Sequence, residues 1–575
     1  MIVVLVQFIS KADVDVFRLP EFEALCDIAC DKHKEPTAHC RVLGNRPGDL
    51  SFTVDAYDAF VERRSPLLFA QLCSVEVARL MAERSVLIKS VLLPFVAGAG
   101  DIDSLAQKLV LAAEHSGEGL TALGPYVRSP TFRYEVESIE RKLTSDEKKA
   151  AVQRLQCVPH AGKVDLEDPE ATVFRVLLLH DSKRDLVGVF HGAVLSESRR
   201  NLFLDRFSLK ARRYIGTTSM PPELTFLMAN LARIRKNDLV VDPFAGTGAT
   251  LLSAAFFGAS TMGFDMDGRV LRGGAIVGAQ AKQALAERVA TRAKALQRMG
   301  VKGESDEALP ATFRQNFVDY GLPAADAARL NFSVACRAFA PAIARHRNRG
   351  FLDAIVSDPP YGIREQQRRV VNATADDVEL RKVAPWACGD LMLDLVSFAA
   401  VSLVCGGHLV YWHPTCRISY TDAEIPTHPC FERLSNEEQA LSIKLGRRLV
   451  VMRKIRDSAN PEQDLALARD SIASASDVRR VMDDTSIGNE QYFAYREKRR
   501  NIREARESWR NAQSTEPSSA QQRLSKAEIR EANMRNRARN VAARETKQQA
   551  HDERQRRDSD LKRSRDEGQG SGLKD

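Results

Sequence analysis

The stretch VVDPFAGTGATLLSAAFFGASTMGFDMD, residues 240–267, decides the fold of this chain. An apolar run ends at Asp242, a turn containing Gly246 and Gly248 follows, and a helix-like segment leads to a second apolar run that ends at Asp265. Glycines in such a turn let the backbone bend tightly and approach a ligand closely. The order of strand, glycine-rich turn, helix and strand is typical of an open parallel α/β sheet, which binds ligands at the carboxyl ends of its strands.

Alternation of strands and helices extends to both sides of this stretch. Strands are predicted over 238–244, 260–267, 352–360, 406–414 and 445–455, and a helix over 249–257. We therefore predict one doubly wound, Rossmann-like α/β domain over residues 214–455.

The region before it, residues 1–190, mixes strands and helices without regular alternation, which predicts an α+β fold. Strands are predicted over 2–9, 50–57, 85–98, 131–139, 174–181 and 186–195, and helices over 17–30 and 101–115. Residues 191–213 are rich in charged side chains and are predicted to form a linker. Residues 456–575 contain too little apolar surface to offset the entropy lost on ordering, which predicts a mostly disordered charged tail.

The net charge of +8 arises in that tail. Residues 491–575 contain 22 Lys and Arg and 14 Asp and Glu, so the rest of the chain carries no net charge. The charge balance therefore says nothing about what the folded part binds. The basic tail either contacts RNA or keeps the chain in solution, and the sequence is compatible with both interpretations.

The ten cysteines include no CxxC pair, and the spacing of Cys26, Cys30 and Cys40 matches no familiar zinc template. We expect reduced thiols, a cytoplasmic location and no metal site. The apolar segment 1–10 lacks a basic flank and a cleavage site, so we expect a first strand rather than a signal peptide. No apolar run approaches the ~18 residues of a membrane span, so we expect no membrane partner.

The turn after Asp242 differs from the loops that cradle phosphates. It lacks both the third glycine of GxGxxG and the lysine of GxxxxGK[ST]. A nucleoside without phosphates fits better, and S-adenosylmethionine (SAM) suits the pattern, with Asp265 at the position that binds ribose hydroxyls and Asp242 near the charged methionine part. The alternative is a tight strand–helix turn that binds no ligand.

A second motif, Asp358-Pro359-Pro360-Tyr361, follows the predicted strand LDAIVS. Its prolines fix the backbone and remove N–H donors, so the segment presents acceptors on a rigid support, and Tyr361 offers a flat face to a base. An exocyclic amine on a purine is a poor nucleophile, because its lone pair is delocalised into the ring. Acceptors on its hydrogens can orient that lone pair and stabilise the developing positive charge. We predict Asp358 as the proton acceptor.

Together these motifs resemble SAM-dependent amino-methyltransferases, whose [DNS]-P-P-[YFW] motif contacts the target amine. The stretches RRYIGTTSMPPELTFLMANLA (212–232), FLDAIVSDPPYGIRE (351–365) and GGHLVYWHPT (406–415) are similar to the family of tRNA guanosine-10 N2-methyltransferases of eukaryotes and archaea. The resemblance covers about residues 1–455. It implies that residues 1–190 contain a ferredoxin-like piece and a THUMP domain that grips tRNA, and that the chain pairs with a small zinc-binding activator protein.

The resemblance also implies roles for individual residues. Asp358, Pro359, Pro360 and Tyr361 would hold the guanine amine, and Asp265 the ribose of SAM. The other cofactor-binding residues would be Asp242, Pro243, Phe244, Ala245, Gly246, Thr247, Gly248, Thr217, Thr218 and Ser219. Family members usually carry an acid near the adenine, whereas residues 328–336, ARLNFSVAC, contain none.

Several alternatives stay open. Arg364 and Arg368 follow the second motif and either contact phosphates beside the target nucleotide or belong to a solvated loop. Trp386 and Trp412 are predicted to be core residues. The motif Asp-Pro-Pro-Tyr also suits an adenine-N6 methyltransferase. A non-catalytic tRNA-binding subunit is a third possibility, favoured by the missing acid and opposed by the intact motifs.

Overall fold

The computed structural model describes residues 1–471, except 12, 38–39, 45–64, 97–98, 115–123, 156, 159, 181–183, 217, 274–310, 347–348, 362–367 and 371–382. All described residues belong to one compact unit. Among them, no helix has both the length and the apolar character needed to cross a membrane. The strand predicted over 50–57 and the tail beyond residue 471 lie outside the described residues.

The N-terminal region is built on one mixed sheet of eight strands. In chain order they are β1 (Ile2–Phe8), β2 (Arg41–Gly44), β3 (Leu67–Leu72), β4 (Ile88–Pro94), β5 (Thr131–Ile139), β6 (Lys163–Val164), β7 (Thr172–His180) and β8 (Leu186–Glu197). Their order across the sheet is β2-β3-β1-β4-β8-β7-β5-β6. The apolar β1 pairs antiparallel with β3 and β4, and β5 pairs parallel with β7. The predicted α+β region therefore folds around a continuous sheet.

The helices described in this region pack their apolar side chains against that sheet. They are α1 (Arg18–His33), α2 (Val75–Arg84), α3 (Ile102–Glu114), α4 (Gly124–Val127) and α5 (Ser145–Arg154). In α1, the residues that recur at helical spacing, Phe22, Leu25, Ile28 and Ala29, are all buried, as the sequence predicts.

The second domain contains a seven-stranded sheet. Its strands are β9 (Leu239–Asp242), β10 (Ser260–Asp265), β11 (Asp326–Arg329), β12 (Leu352–Ser357), β15 (Leu403–Cys416), β16 (Phe431–Ala440) and β17 (Leu445–Lys454). The strands β13 (Arg368–Val370) and β14 (Val383–Pro385) pair antiparallel in a separate two-stranded sheet. The order is β11-β10-β9-β12-β15-β17-β16, parallel up to β15 and antiparallel beyond it. The strand order reverses between β9 and β12, which is where sheets of this kind bind ligands.

Helices cover both faces of this sheet, which confirms the doubly wound prediction. The helices from residue 200 onwards are α6 (Arg200–Arg206), α7 (Pro222–Leu231), α8 (Ala249–Phe256), α9 (Gly268–Arg272), α10 (Phe313–Asp319), α11 (Ala335–Arg345), α12 (Cys388–Ser402) and α13 (Pro461–Asp470). Leu251 of α8 belongs to the core on one face, together with Val240 and Trp412. Leu391 of α12 belongs to the core on the other face, together with Val241 and Trp386.

Glu21 joins the N-terminal region to the second domain. It is completely buried in α1 and accepts hydrogen bonds from the N–H groups of Val86 and Leu87, from the Ser85 hydroxyl and, at 2.7 Å, from Asn230 Nδ2 in α7. Burial raises the pKa of Glu21 above its ordinary value. Because a carboxyl group buried here needs all its donors in place, this contact resists separation of the two domains.

Two domain boundaries differ from the sequence prediction. Residues 191–213 do not form a linker, because β8 runs to Glu197 and α6 follows it. Phe203 and Phe207 lie on one face of this segment and pack on Phe226 at centroid distances of 4.7 and 5.3 Å. The many charged residues around these two rings suggested a solvent-exposed linker, although one face of the segment is buried. Folded structure also continues past residue 456, since Cys430 Sγ donates to Asp464 Oδ2 in α13 at 3.5 Å and Thr427 N–H donates to Ser471 Oγ at 3.2 Å.

Candidate active site

The glycine-rich turn lies between β9 and α8, at the carboxyl end of the sheet. Gly246 and Gly248 both adopt positive φ, +52° and +80°, a region that favours glycine. A Cβ at Gly248 would lie 2.7 Å from Phe313 Cε2, whereas a Cβ at Gly246 would meet no atom within 4 Å. The two glycines therefore serve different purposes: Gly248 allows α10 to pack closely, and Gly246 borders open space.

Asp265, at the end of β10, fixes the position of this turn. Its Oδ2 accepts from Gly246 N–H at 3.0 Å, and its Oδ1 accepts from Asp267 N–H at 2.8 Å. The carboxylate is thus ordered by backbone donors beside the glycine-rich turn, which is where the sequence places the group that binds ribose hydroxyls.

Asp242 lies deeper, and its side chain connects three elements. Its Oδ1 accepts from Phe244 N–H and from Ser357 Oγ, each at 2.9 Å, and its Oδ2 accepts from the hydroxyl of Thr250 in α8. Burial is the main cause that raises the pKa of Asp242 to about 6. Since the residue is only 2% exposed, the structure gives Asp242 a supporting position that joins the glycine-rich turn to the end of β12.

The segment before α7 reaches the same turn. Ser219 Oγ shares a hydrogen bond of 2.8 Å with Thr247 Oγ1 and accepts from Gly216 N–H at 2.8 Å. Thr218 is exposed beside it, and Thr217 lies outside the described residues. Ser219 is therefore brought to the glycine-rich turn. Of the remaining residues of the turn, Phe244 packs on Phe332 with ring centroids 5.0 Å apart.

The Asp358–Tyr361 motif follows β12, one strand from the glycine-rich turn. Ser357, which precedes it, is the residue that donates to Asp242, so the two motifs are directly connected. Pro359 is buried, whereas Asp358 and Tyr361 are partly exposed. Tyr361 Oη donates to Asp358 Oδ1 at 2.5 Å, and burial, followed by the charge of Asp358, raises the pKa of Tyr361 well above its usual range. The tyrosine therefore remains a hydrogen-bond donor.

Arg447 is a site residue that the sequence did not predict. Its Nη1 donates to Tyr361 Oη at 3.2 Å and lies 3.8 Å from Asp358 Oδ2. Its Nε donates to Gln439 Oε1 at 2.9 Å, and its guanidinium carbon lies 4.0 Å from the centroid of the Trp412 ring. These contacts hold a positive charge beside the Asp358 carboxylate.

The other residues considered from the sequence belong to other elements of the fold or lie outside the described residues. Arg364 lies outside the described residues, and Arg368 begins β13, without a described side chain. On the adenine side, Asn331 Oδ1 accepts from Ser333 N–H at 3.1 Å and thereby caps a short turn after β11. Trp386 and Trp412 are buried core residues, as predicted.

The structure brings two candidate binding features together at one edge of the sheet. The glycine-rich turn borders open space and lies beside the ordered carboxylate of Asp265. The rigid Asp358–Tyr361 segment lies one strand away, and the buried Asp242 links the two. A nucleoside-like cofactor and a flat amine-bearing base could therefore meet between β9 and β12.

Comparison with known proteins agrees with this geometry. Residues 210–376 match a family model described as "UPF0020: RMKL-like, methyltransferase domain". The tRNA (guanine(10)-N(2))-methyltransferase TRMT11 of Rattus norvegicus is 30% identical over 479 residues, which cover 79% of this chain and 88% of the rat protein. The TRMT11 of Homo sapiens is 30% identical over 428 residues, which cover 70% of this chain and 82% of the human protein.

Among solved structures, TrmN from Thermus thermophilus is similar with a TM-score of 0.30 and 17% identity, covering 68% of this chain and 90% of that chain. The curated relatives match both domains of this chain at a level of identity that defines a family. The chain therefore belongs to the TRMT11 family of tRNA (guanine(10)-N(2))-methyltransferases.

Proposed function

We propose that this protein methylates the exocyclic N2 amine of guanosine 10 in tRNA, using SAM. The observation that carries the proposal is the direct connection between the two motifs. Asp242 accepts hydrogen bonds from the glycine-rich turn and from Ser357, and Ser357 immediately precedes Asp358. One buried side chain thus sets the position of the turn relative to the segment that would face the amine.

SAM fits the residues beside the glycine-rich turn. The free space next to Gly246 would be filled by a Cβ, and the ordered carboxylate of Asp265 lies where ribose hydroxyls bind in this class of fold. Under this proposal Gly246, Thr247, Gly248, Asp265 and Ser219 hold the cofactor, and Asp242 orders the turn. When bound, the cofactor supplies an electrophilic methyl group on a sulfonium.

The residues of the second motif act on the amine. The Asp358 carboxylate accepts a hydrogen bond from the N2 amine and takes up the proton that leaves it, while Tyr361 supports the base. The tyrosine hydroxyl donates to Asp358 Oδ1, which holds the carboxylate in place at the end of the rigid segment. Arg447 orients the carboxylate through its charge and its hydrogen bond to Tyr361, and for that reason it is a positioning residue.

Binding of tRNA is assigned to the N-terminal region, through a ferredoxin-like piece and a THUMP domain. The buried contact between Glu21 and Asn230 supports this assignment, because it ties the N-terminal region to the domain that carries Asp358. We further propose that Arg364 and Arg368 contact phosphates beside the target nucleotide. Replacing each with glutamine should weaken tRNA binding and reduce its salt dependence, with SAM binding unchanged.

The test is methyl transfer to defined tRNA transcripts. Purified protein with its activator should transfer labelled methyl from SAM to a transcript with G10, and nucleoside analysis should give N2-methylguanosine. A matched transcript with A10 should accept no methyl group. N6-methyladenosine as the product would favour the adenine-specific alternative, and no product from any tRNA would favour a non-catalytic subunit.

We also propose, from the resemblance, that a small zinc-binding activator protein pairs with the methyltransferase domain, and that the pair works in the cytoplasm. Co-expression should give a one-to-one complex on size exclusion with higher methyl transfer than the chain alone. Fluorescent tagging of the chain checks its location. A monomeric, fully active chain would exclude the need for an activator.

A further inference from the structure

Three cysteines outside the candidate active site converge on one point. The Sγ atoms of Cys30 and Cys40 are 3.5 Å apart, those of Cys40 and Cys73 are 3.5 Å apart, and those of Cys30 and Cys73 are 3.6 Å apart. They form a nearly equilateral triangle, in which Cys30 and Cys73 are buried and Cys40 is partly buried. The N-terminal region thus contains three soft donor atoms directed at a common centre.

Three separate elements bring these thiols together. Cys30 lies near the end of α1, which Lys34 ends in a left-handed conformation, with Glu35 N–H donating to Cys30 O at 2.8 Å. The chain then turns back, and Cys40 N–H donates to Thr37 O at 2.8 Å just before β2. Cys73 directly follows β3, which pairs with β2. The triangle therefore closes the connection between α1 and the edge of the eight-stranded sheet.

The distances suit a metal ion better than a disulfide. Sulfurs at about 2.3 Å from a central zinc ion stand roughly 3.8 Å apart at the corners of a tetrahedron, close to all three separations. A disulfide would bring two sulfurs to about 2.05 Å and leave the third apart. Three equal separations provide no reason to pair any two of these thiols.

A fourth sulfur lies next to the cluster. Cys26 precedes Cys30 by one helical turn, on the same face of α1, and its Sγ contacts Met81 Sδ at 3.9 Å. Its side chain is buried. Four cysteines of the N-terminal region thus lie on or beside one centre.

We propose that Cys30, Cys40 and Cys73 bind a structural zinc ion, with Cys26 completing a four-sulfur site. Closed sites of four thiolates are typical of structural zinc, which contributes directly to folding. The site would fasten the end of α1 and the turn before β2 to the end of β3. This departs from the prediction of no metal, because the chain spacings alone gave no sign that Cys73 joins the other three.

The test is the metal content of the full-length protein, purified without chelators. Wild-type protein should contain one more zinc ion per chain than Cys40→Ser, whether the chain is purified alone or with a zinc-binding partner, because the difference cancels the partner's metal. Cys388→Ser, which removes a partly buried thiol in α12, should keep the wild-type zinc content. Cobalt exchanged into wild-type protein, but not into Cys40→Ser, should give the intense visible bands of tetrahedral thiolate ligation.

Three results would overturn the proposal: equal zinc in wild-type protein and in both Cys40→Ser and Cys30→Ser, iron or copper in place of zinc, or a disulfide between any two of these cysteines in the freshly purified protein. Thiol titration under denaturing conditions, with and without reductant, detects the disulfide. A second variant, Cys30→Ser, covers the case in which Cys40→Ser retains metal through the three remaining sulfurs, since losing a buried ligand on α1 should release the zinc.

Discussion

The guanidinium of Arg447 lies 3.8 Å from the carboxylate of Asp358, and the same nitrogen donates to the Tyr361 hydroxyl at 3.2 Å. The arginine belongs to β17, whereas both partners belong to the loop after β12. A strand that runs antiparallel to the rest of the sheet therefore supplies the positive charge at the proposed amine site. The ring of Trp412 below the guanidinium limits the directions in which that charge can move.

Replacing Asp358 with alanine should abolish methyl transfer, with a fall in kcat of about 10² to 10⁴-fold, because the amine loses its acceptor. The affinity for SAM, measured by calorimetry, should stay within threefold of wild type. Asp358→Asn should retain part of the activity, since an amide oxygen still accepts a hydrogen bond. A large loss of SAM affinity in Asp358→Ala would instead place this residue in the cofactor site.

Replacing Arg447 with alanine should lower kcat roughly 10-fold or more while leaving the SAM affinity unchanged, because Asp358 and Tyr361 lose the donor that orients them. Arg447→Lys should not restore the rate, since a lysine has one donor nitrogen, whereas the arginine reaches Gln439 through Nε and Tyr361 through Nη1. Arg448→Ala is the matched control. Arg448 is the next residue of β17 and stacks on Tyr420 at 3.8 Å, so losing it should cost similar packing but no activity.

Replacing Gly246 with alanine should weaken SAM binding at least 10-fold, because the new Cβ would enter the free space beside the turn. The positive φ alone should cost about 1–2 kcal/mol of stability. Gly321→Ala controls for that strain, since Gly321 also has a positive φ, +63°, with no atom within 4 Å of an added Cβ. Equal SAM affinity in the two variants would show that nothing binds beside Gly246.

Replacing Asp242 with asparagine should change the pH dependence of stability. The pKa of Asp242 is raised to about 6 in the folded protein, above roughly 3.9 in the unfolded chain, so the folded protein binds the proton more tightly. The stabilisation that this proton binding provides is therefore fully present below about pH 4 and is lost as the pH rises towards 6. Relative to wild type, Asp242→Asn should gain up to about 3 kcal/mol across this window.

Urea denaturation of both proteins between pH 4 and pH 7 measures that difference. The asparagine can still accept from Phe244 N–H and can donate to the Thr250 hydroxyl oxygen, so the variant should fold. Parallel stability curves for the two proteins across the window would contradict the raised pKa.

Much of the second domain follows from local pattern. Apolar runs that end at Asp242, Asp265 and Ser357 each form a parallel strand with that residue at its end, because buried strands read as continuous apolar segments. The glycine-rich turn and the Asp358 motif meet because carboxyl ends of parallel strands share one edge of the sheet. These parts of the site are encoded within short stretches.

The rest depends on long-range pairing that local pattern cannot supply. Arg447 reaches Tyr361 through the register of β15 and β17, and β16 was missed because its polar residues show no apolar alternation. The position of Asp242 in its motif predicts contact with the cofactor. Its burial and its hydrogen bond from Ser357 depend on the pairing of β9 with β12, which local sequence does not show. The approach of Cys40 to Cys73 likewise requires the pairing of β2 with β3.

The buried joint at Glu21 and Asn230 has a consequence for substrate choice. A hinge at this point would let the second domain search along a bound RNA, whereas a joint with every donor paired resists bending. Under the proposed function, the protein selects its target by the distance along the tRNA between the part bound by the N-terminal region and the nucleotide that reaches Asp358. The nucleotide that fits this distance would be modified whatever bases surround it.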